Sequence, residues 1–202
     1  MDGFDTKNAA LLVIDMQHAS LDPQGSLVKL LGVKENRMLR TIAPIQQLLA
    51  AFRAAGRPVF YNQMAVSAEY SDAGLLGRVF FPLKGLGHCV EDTWDFEIVD
   101  ALKPLPGERV VRKKRWSGFY GTSLESDLRN LGITTLVVCG VATDVCVEAT
   151  VRDAFYRDFA CIVPREATAS FDEVSEETGI RQLVFGCSRV VPIVDVLAAL
   201  KG

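Results

Sequence analysis

Three side chains of this sequence have types and positions suited to covalent chemistry: Asp15, Lys113 and Cys146. Cys146 lies in "GVATDVCVEATVRDA" (140–154), where an apolar strand gives way to a helix. In the first turn of a helix, unpaired N–H groups and the positive dipole end favour a thiolate, lowering a pKa that is about 8.5 in a free cysteine. A strand-end cation, for which Lys113 is best placed, would lower it further. A carboxylate beside the thiol, Asp15, would accept its proton and later pass it to a departing amine, the acid/base and nucleophilic work that amide hydrolysis needs. If the loop "VATDVC" (141–146) folds back on itself, the N–H groups of Ala142 and Cys146 point at the oxyanion of a tetrahedral intermediate. Each residue type also has a plain structural use. A buried cysteine is a small core residue, and an Asp after a strand is a turn or cap residue.

The elements that must position these groups are legible as alternating strands and helices. "AALLVID" (9–15) is a continuous apolar run ending in an acid, as expected of a parallel strand buried on both faces. Helix-period residues Leu48, Leu49 and Phe52 in the segment 36–55 precede Gly56 and the strand "RPVFYNQ" (57–63), with Pro44 marking an early turn or kink. Strand signals recur at 108–113, 134–140, 159–164 and 188–193, with helices between them at 122–131, 144–157 and 173–185. Residues 67–92 break the pattern and are expected to form a long excursion over one end of the sheet. Within 144–157, Val147, Val151, Ala154 and Phe155 form an apolar stripe that can face the sheet. The alternation predicts a doubly wound, three-layer αβα sandwich with six mainly parallel strands in a single domain. Ligands of such folds gather at the carboxyl ends of the strands, where Asp15, Lys113 and Cys146 fall.

Composition narrows the classes. A chain of 202 residues with 49 % hydrophobic and 23 % charged residues suits one core-forming soluble domain. No apolar run approaches the ~20 residues of a membrane span, and the N-terminus "MDGFDTKNAA" lacks a signal-peptide pattern, so a cytoplasmic protein is expected. A net charge of −3 argues against nucleic acid as a partner, despite the local run "RKKR" at 112–115. Five cysteines without a C-x-x-C pair or Cys/His ligand spacing suit reduced thiols, with Cys139, Cys161 and Cys187 assigned to the core. His18 and His88, the only histidines, occupy no position that the fold makes compelling. Gln17 is open to two readings, a hydrogen-bonding group near the site or a loop anchor.

Taken together, "LLVIDMQ", "KKRWSGFYGTSL" and "GVATDVCVEATVRDA" resemble, in order, the Asp, Lys and nucleophile segments of the isochorismatase-like cysteine hydrolases. The resemblance runs from Ala9 to about Ser170 and implies a catalytic Asp15 and a nucleophilic Cys146. The family spacing of Lys, three residues, then Ser-Gly-Phe fits Lys113, whereas strand alternation turns the adjoining Lys114 to the opposite face. The resemblance further implies a cis peptide at Val141–Ala142 and a homo-oligomer, dimeric or tetrameric, whose subunits can close one another's pockets.

Departures from the pattern refine this expectation. Isochorismate hydrolases typically lack the Cys, so Cys146 favours cleavage of a C–N bond. Nicotinamidases usually carry Asp-x-His after the second strand, where this chain reads "YNQMAVS" (61–67), so neither metal nor other cofactor is expected. The wording of "SGFYGT" and of "DTWDFEIVDALKP" (92–104) looks most like ureidoacrylate amidohydrolases and is similar to biuret and related ureide hydrolases. A small linear amide or ureide is the expected substrate, selected by the excursion 67–92 and by Gln17, Asn62, Trp116, Phe119 and Tyr120, with packing an equal reading for Trp116 and Phe119. A nicotinamidase-like or N-carbamoyl amino acid hydrolase, and a non-catalytic metabolite sensor on the same fold, are the alternatives. The missing G-x-G-x-x-G argues against a nucleotide-dependent oxidoreductase.

Overall fold

The structure, a computed structural model, describes residues 5, 7–79 and 81–201. Part of the N-terminal stretch read above, and Phe80 of the excursion, lie outside the described residues. In chain order the strands and α-helices are β1 (Ala9–Ile14), α1 (His18–Leu21), α2 (Ser26–Leu31), α3 (Ile42–Ala54), β2 (Val59–Met64), α4 (Leu75–Val79), α5 (Phe81–Gly85), β3 (Arg109–Lys113), α6 (Leu124–Asn130), β4 (Thr135–Val141), α7 (Glu148–Phe155), β5 (Ala160–Pro164), β6 (Thr168–Ala169), α8 (Glu173–Val184), β7 (Arg189–Val191) and α9 (Ile193–Ala199).

The sheet runs β3-β2-β1-β4-β5-β7, and all of its recorded pairings are parallel. A seventh strand, β6, pairs with β4 off this path; its two residues are too short for a periodic signal. Parallel strands of this kind are covered on both faces, which explains why β1, β2 and β4 are buried along their whole lengths. Alternation sends Leu11, Val13, Val137 and Cys139 to one face, against Ile45, Leu48 and Phe52 of α3 and Ile193 of α9. Leu12, Ile14, Leu136 and Val138 go to the other, against Leu128 of α6, Val151 of α7 and Leu183 of α8. The result is the three-layer αβα sandwich.

Several local expectations change. Pro44 produces no kink, because it is the third residue of α3, in the first turn, where its missing N–H has no helical acceptor to lose; a 3₁₀ segment, Arg37–Thr41, precedes that helix. The last strand stops at Val191, short of the expected 193, because Pro192 leads directly into α9, which begins at Ile193. Phe155 is 48 % exposed and stands beside Tyr156 rather than facing the sheet, while Val147, Val151 and Ala154 are fully buried as the stripe required. Cys139 and Cys161 are core residues, whereas Cys187 is only half-buried; the described cysteines are all free. No helix among the described residues is long and apolar enough to cross a membrane.

The excursion is partly helical. It carries α4 and α5, is tied to the sheet by a bridge between Val66 and Val90, and is closed by Tyr70, whose hydroxyl lies 3.0 Å from the Leu83 carbonyl and 2.8 Å from that of His88.

Candidate active site

The strand order reverses about β1, which has β2 on one side and β4 on the other, so a crevice opens at their carboxyl ends. Asp15 follows β1 directly with φ +50°, a left-handed conformation that aspartate enters more readily than most residues. Its Oδ1 accepts from the Met64 N–H at 3.2 Å, which aims the other oxygen across β2. Lys113 ends β3, two strands from β1 and about 10 Å away by ordinary strand spacing, a gap that its four-carbon stem closes. Its Nζ lies 2.7 Å from Asp15 Oδ2 and 3.4 Å from Cys146 Sγ, and donates to the Arg115 carbonyl at 3.1 Å. All three side chains are buried, Lys113 completely. Lys114 turns the other way, to Asp72 and Glu91 at 2.7 and 2.6 Å.

Burial opposes the charge on Lys113, but the attraction of Asp15 and then of Cys146 outweighs it, so the ammonium is held above the ordinary lysine pKa. Cys146 differs from the expectation of a lowered pKa. Burial is the largest influence and pushes the thiol well up, and Lys113 pulls it down without cancelling that rise. Its local backbone also differs: Cys146 sits in a π-helical turn, Thr143–Val147, ahead of α7 instead of in the first turn of an α-helix. The resting site therefore holds a neutral thiol beside an ion pair.

The nucleophile turn folds back as "VATDVC" suggested. The Ala142 carbonyl accepts from the N–H groups of both Val145 and Val147 at 3.1 Å, and the Val141–Ala142 peptide bond is cis. Helix α8 packs directly on this turn at Gly179, where a Cβ would approach Asp144 Cα to 2.8 Å and the Thr143 carbonyl carbon to 3.0 Å. Glycine inside a helix costs about 1 kcal/mol relative to alanine, and this close approach supplies a reason for it. We expect Gly179→Ala to lower stability by about 1 kcal/mol, overpacking outweighing helix propensity, and to reduce kcat several-fold. Thermal melts with kinetics check this, and a stabilised, fully active variant would show that the contact yields.

The Lys segment docks on α7, the helix that follows the nucleophile turn. Ser117 Oγ donates to Asp153 Oδ2 at 2.6 Å, and the Gly118 N–H donates to Thr150 Oγ1 at 3.0 Å; Thr150 Oγ1 in turn donates to the Cys146 carbonyl at 2.6 Å. Thr150 and Asp153 thus link the lysine and cysteine segments, a role that their position in α7 does not reveal in the sequence.

A cavity of about 390 Å³ opens over the thiol, with Asp15, Ala142, Cys146, Gln17 and Trp116 in its wall. Gln17 braces that wall: its Nε2 donates to the Met64 and Phe96 carbonyls at 2.9 and 2.7 Å, and its Oε1 accepts from the Met64 N–H at 2.9 Å. The other expected binding residues lie off the cavity lining. Asn62 is buried in β2 beneath Gly118, its amide without a hydrogen-bond partner among the described residues. Phe119 is a core residue against Phe159, and Tyr120 is 64 % exposed at the surface. Phe119 and Tyr120 follow Trp116 in sequence, and Asn62 pairs in register with Val111, two residues before Lys113, but strand and turn geometry sends all three side chains elsewhere.

His88, whose place in the sequence gives no sign of a role, lines the cavity with Cys89. His88 Nδ1 lies 2.7 Å from Ser26 Oγ, and burial pushes its pKa down. Burial likewise raises the Cys89 thiol. Among the described residues, His88, Cys89 and Asp95 offer one potential metal-ligating atom each within 4.8 Å of one another, outside the second-strand stretch 61–67. The Asp95 oxygens already accept from the Ser26 N–H, the Ser26 hydroxyl and the Cys89 N–H, at 2.8, 2.8 and 2.9 Å. The Asp95 carboxylate is thus engaged by Ser26 and Cys89, and His88 joins this network through Nδ1.

Known proteins share this arrangement of elements. A family model described as the isochorismatase domain matches residues 9–195. Ureidoacrylate amidohydrolase RutB of Methylobacterium radiotolerans is 39 % identical over 176 residues, covering 81 % of this chain and 68 % of that protein. A cysteine hydrolase from Pseudomonas syringae pv. phaseolicola superposes with a TM-score of 0.88 at 27 % identity, over 98 % of this chain and 94 % of its own. N-carbamoylsarcosine amidase from Thermoplasma acidophilum does so with a TM-score of 0.73 at 29 % identity, over 92 % and 96 %. With a family match across nearly the whole parallel sheet and a thiol, carboxylate and ammonium gathered at its reversal point, the chain belongs to the isochorismatase family.

Proposed function

We propose that the protein is a cysteine amidohydrolase that cleaves a C–N bond of a small linear amide or ureide, with Cys146 as nucleophile, Asp15 as acid/base and Lys113 as their electrostatic partner. The observation that carries this reading is the convergence of Lys113 Nζ on both Asp15 Oδ2, at 2.7 Å, and Cys146 Sγ, at 3.4 Å, at the wall of one cavity. The similarity to a ureidoacrylate amidohydrolase and to N-carbamoylsarcosine amidase supports the bond type.

Starting from a neutral thiol, substrate binding is followed by proton transfer from Cys146 to Asp15, and the thiolate attacks the carbonyl carbon. Lys113 stabilises the sulfur charge as it appears, a contribution larger in a buried site than in water. The oxyanion is received by the N–H groups of Ala142 and Cys146. Asp15 returns its proton to the departing nitrogen as the C–N bond breaks, leaving an acyl or carbamoyl thioester on Cys146. Asp15 then takes a proton from water, the resulting hydroxide attacks the thioester carbonyl, and the expelled sulfur recovers the proton. Trp116 and the excursion form the substrate-facing wall.

Ammonia or amine release is the direct test, measured over ureidoacrylate, biuret, N-carbamoyl amino acids, maleamate and nicotinamide. Release from at least one ureide, with a trapped adduct on the Cys146 peptide by mass spectrometry, is the expected result. Silence across this panel from folded protein, with no adduct, would favour a metabolite sensor. A reducing, cytoplasmic setting is part of the same proposal, supported by the free described cysteines. So is a homo-oligomer, supported by the exposed Phe155, Tyr156 and Phe185 and checked by sedimentation.

A further inference from the structure

The cavity beside Cys146 is charged with one sign. Asp15, Asp144 and Asp172 contribute carboxylates to its wall, and neither arginine nor lysine is among the described residues that line it. Asp15 is matched by Lys113 behind the wall. Asp144 instead accepts from the Ser170 hydroxyl, and Asp172 from the Ser175 N–H and hydroxyl at 2.9 and 2.7 Å. Arg37, whose charge reaches Asp172, is itself paired with Glu176 at 3.8 Å, and Arg115 donates through Nη1 to the Asp72 and Lys114 carbonyls. A substrate carboxylate entering this cavity would meet like charge.

His88 lines the same cavity, and its neighbours set the tautomer of its ring. The Asp95 carboxylate can only accept, so the Ser26 hydroxyl proton, 2.8 Å away, points toward it. Ser26 Oγ must therefore accept from His88 Nδ1 at 2.7 Å, which places the ring proton on Nδ1 and the lone pair on Nε2. The neighbour of Nε2 is Cys89 Sγ at 3.5 Å, a weak thiol donor that an incoming N–H can replace.

We infer that the cavity selects an uncharged ureide or amide carrying N–H donors at its end remote from the scissile carbonyl, with His88 Nε2 as their acceptor, and turns away carboxylate-bearing members of the same class. This rests on the hydrolase reading above and narrows its substrate. Discrimination of this kind works through repulsion as much as attraction, since an anion would face carboxylates and a lone pair together.

The test uses a matched pair, N-carbamoylglycinamide and N-carbamoylglycine, which differ in a terminal amide against a carboxylate. Wild-type kcat/KM should favour the neutral amide by roughly 10- to 100-fold, mostly through KM. Asp144→Asn should narrow that gap by improving the acid, and His88→Leu should weaken the amide while scarcely moving the acid. Calorimetry with Cys146→Ala protein reads the same preference without turnover. Equal or better kcat/KM and binding for the acid would overturn the selectivity while leaving the hydrolase reading intact. Binding of the amide alone, with no turnover of any panel compound, would sustain the selectivity and overturn the hydrolase reading. Failure of both compounds to bind would overturn the selectivity, while the hydrolase reading then stands or falls on turnover of the panel.

Discussion

Cys146→Ala protein is expected to lose about four orders of magnitude or more in kcat while keeping its fold. The side chain loses only the sulfur at a wall that already borders a cavity, so the structural cost is small; the buried neighbours Val147 and Val151 hold α7 to the sheet without it. The chemical cost is large because the covalent route disappears, and what remains is binding and oxyanion stabilisation acting on a water molecule. Circular dichroism and thermal melting check the fold, and ammonia release checks the rate. Activity retained within tenfold would place the nucleophile elsewhere and sink the assignment.

Lys113→Met separates two functions of one side chain. Methionine fills the volume of the stem but leaves Asp15 buried without its partner at 2.7 Å. Breaking a buried pair from one side costs roughly 3–5 kcal/mol, a fall in Tm on the order of 10 °C for a chain of this size. Loss of the ammonium also removes the charge that receives the developing thiolate, costing about 10²- to 10³-fold in kcat. The double variant Asp15→Asn/Lys113→Met should recover most of the stability, because neither charge is then stranded, and remain inactive. If the double variant is no more stable than Lys113→Met, the loss came from packing and not from an uncompensated carboxylate. A fully active Lys113→Met would remove lysine from the mechanism.

The parts of the fold that were legible are those where local pattern and tertiary burial agree. β1 and β4 read correctly because strands covered on both faces must be apolar at every position, and α7 showed its stripe because one face packs on the sheet. Legibility failed where packing overrode the local pattern. Phe155 continues the helical period of that stripe but is the last residue of α7 and stands exposed beside Tyr156, and β6 has too few residues to carry a period. Phe119 and Tyr120 follow Trp116 closely along the chain and Asn62 pairs in register with Val111, two residues before Lys113, yet alternation and the turn after β3 direct all three to the core or to the surface.

From the sequence alone follow the αβα architecture, the strand ends and the chemical identities of Asp15, Lys113 and Cys146, because these depend on residue type and on periodicities a few residues long. The tertiary structure decides the protonation of the site and the character of its cavity. Cys146 rests as a thiol because burial acts against its charge more strongly than Lys113 acts for it, and burial is a sum over neighbours from several elements. His88 presents a lone pair because Ser26, 62 residues away in the chain, and Asp95 fix its tautomer. Such hydrogen bonds join segments whose separation along the chain carries no periodic signal, so only the folded arrangement of β-sheet, excursion and α2 brings them together.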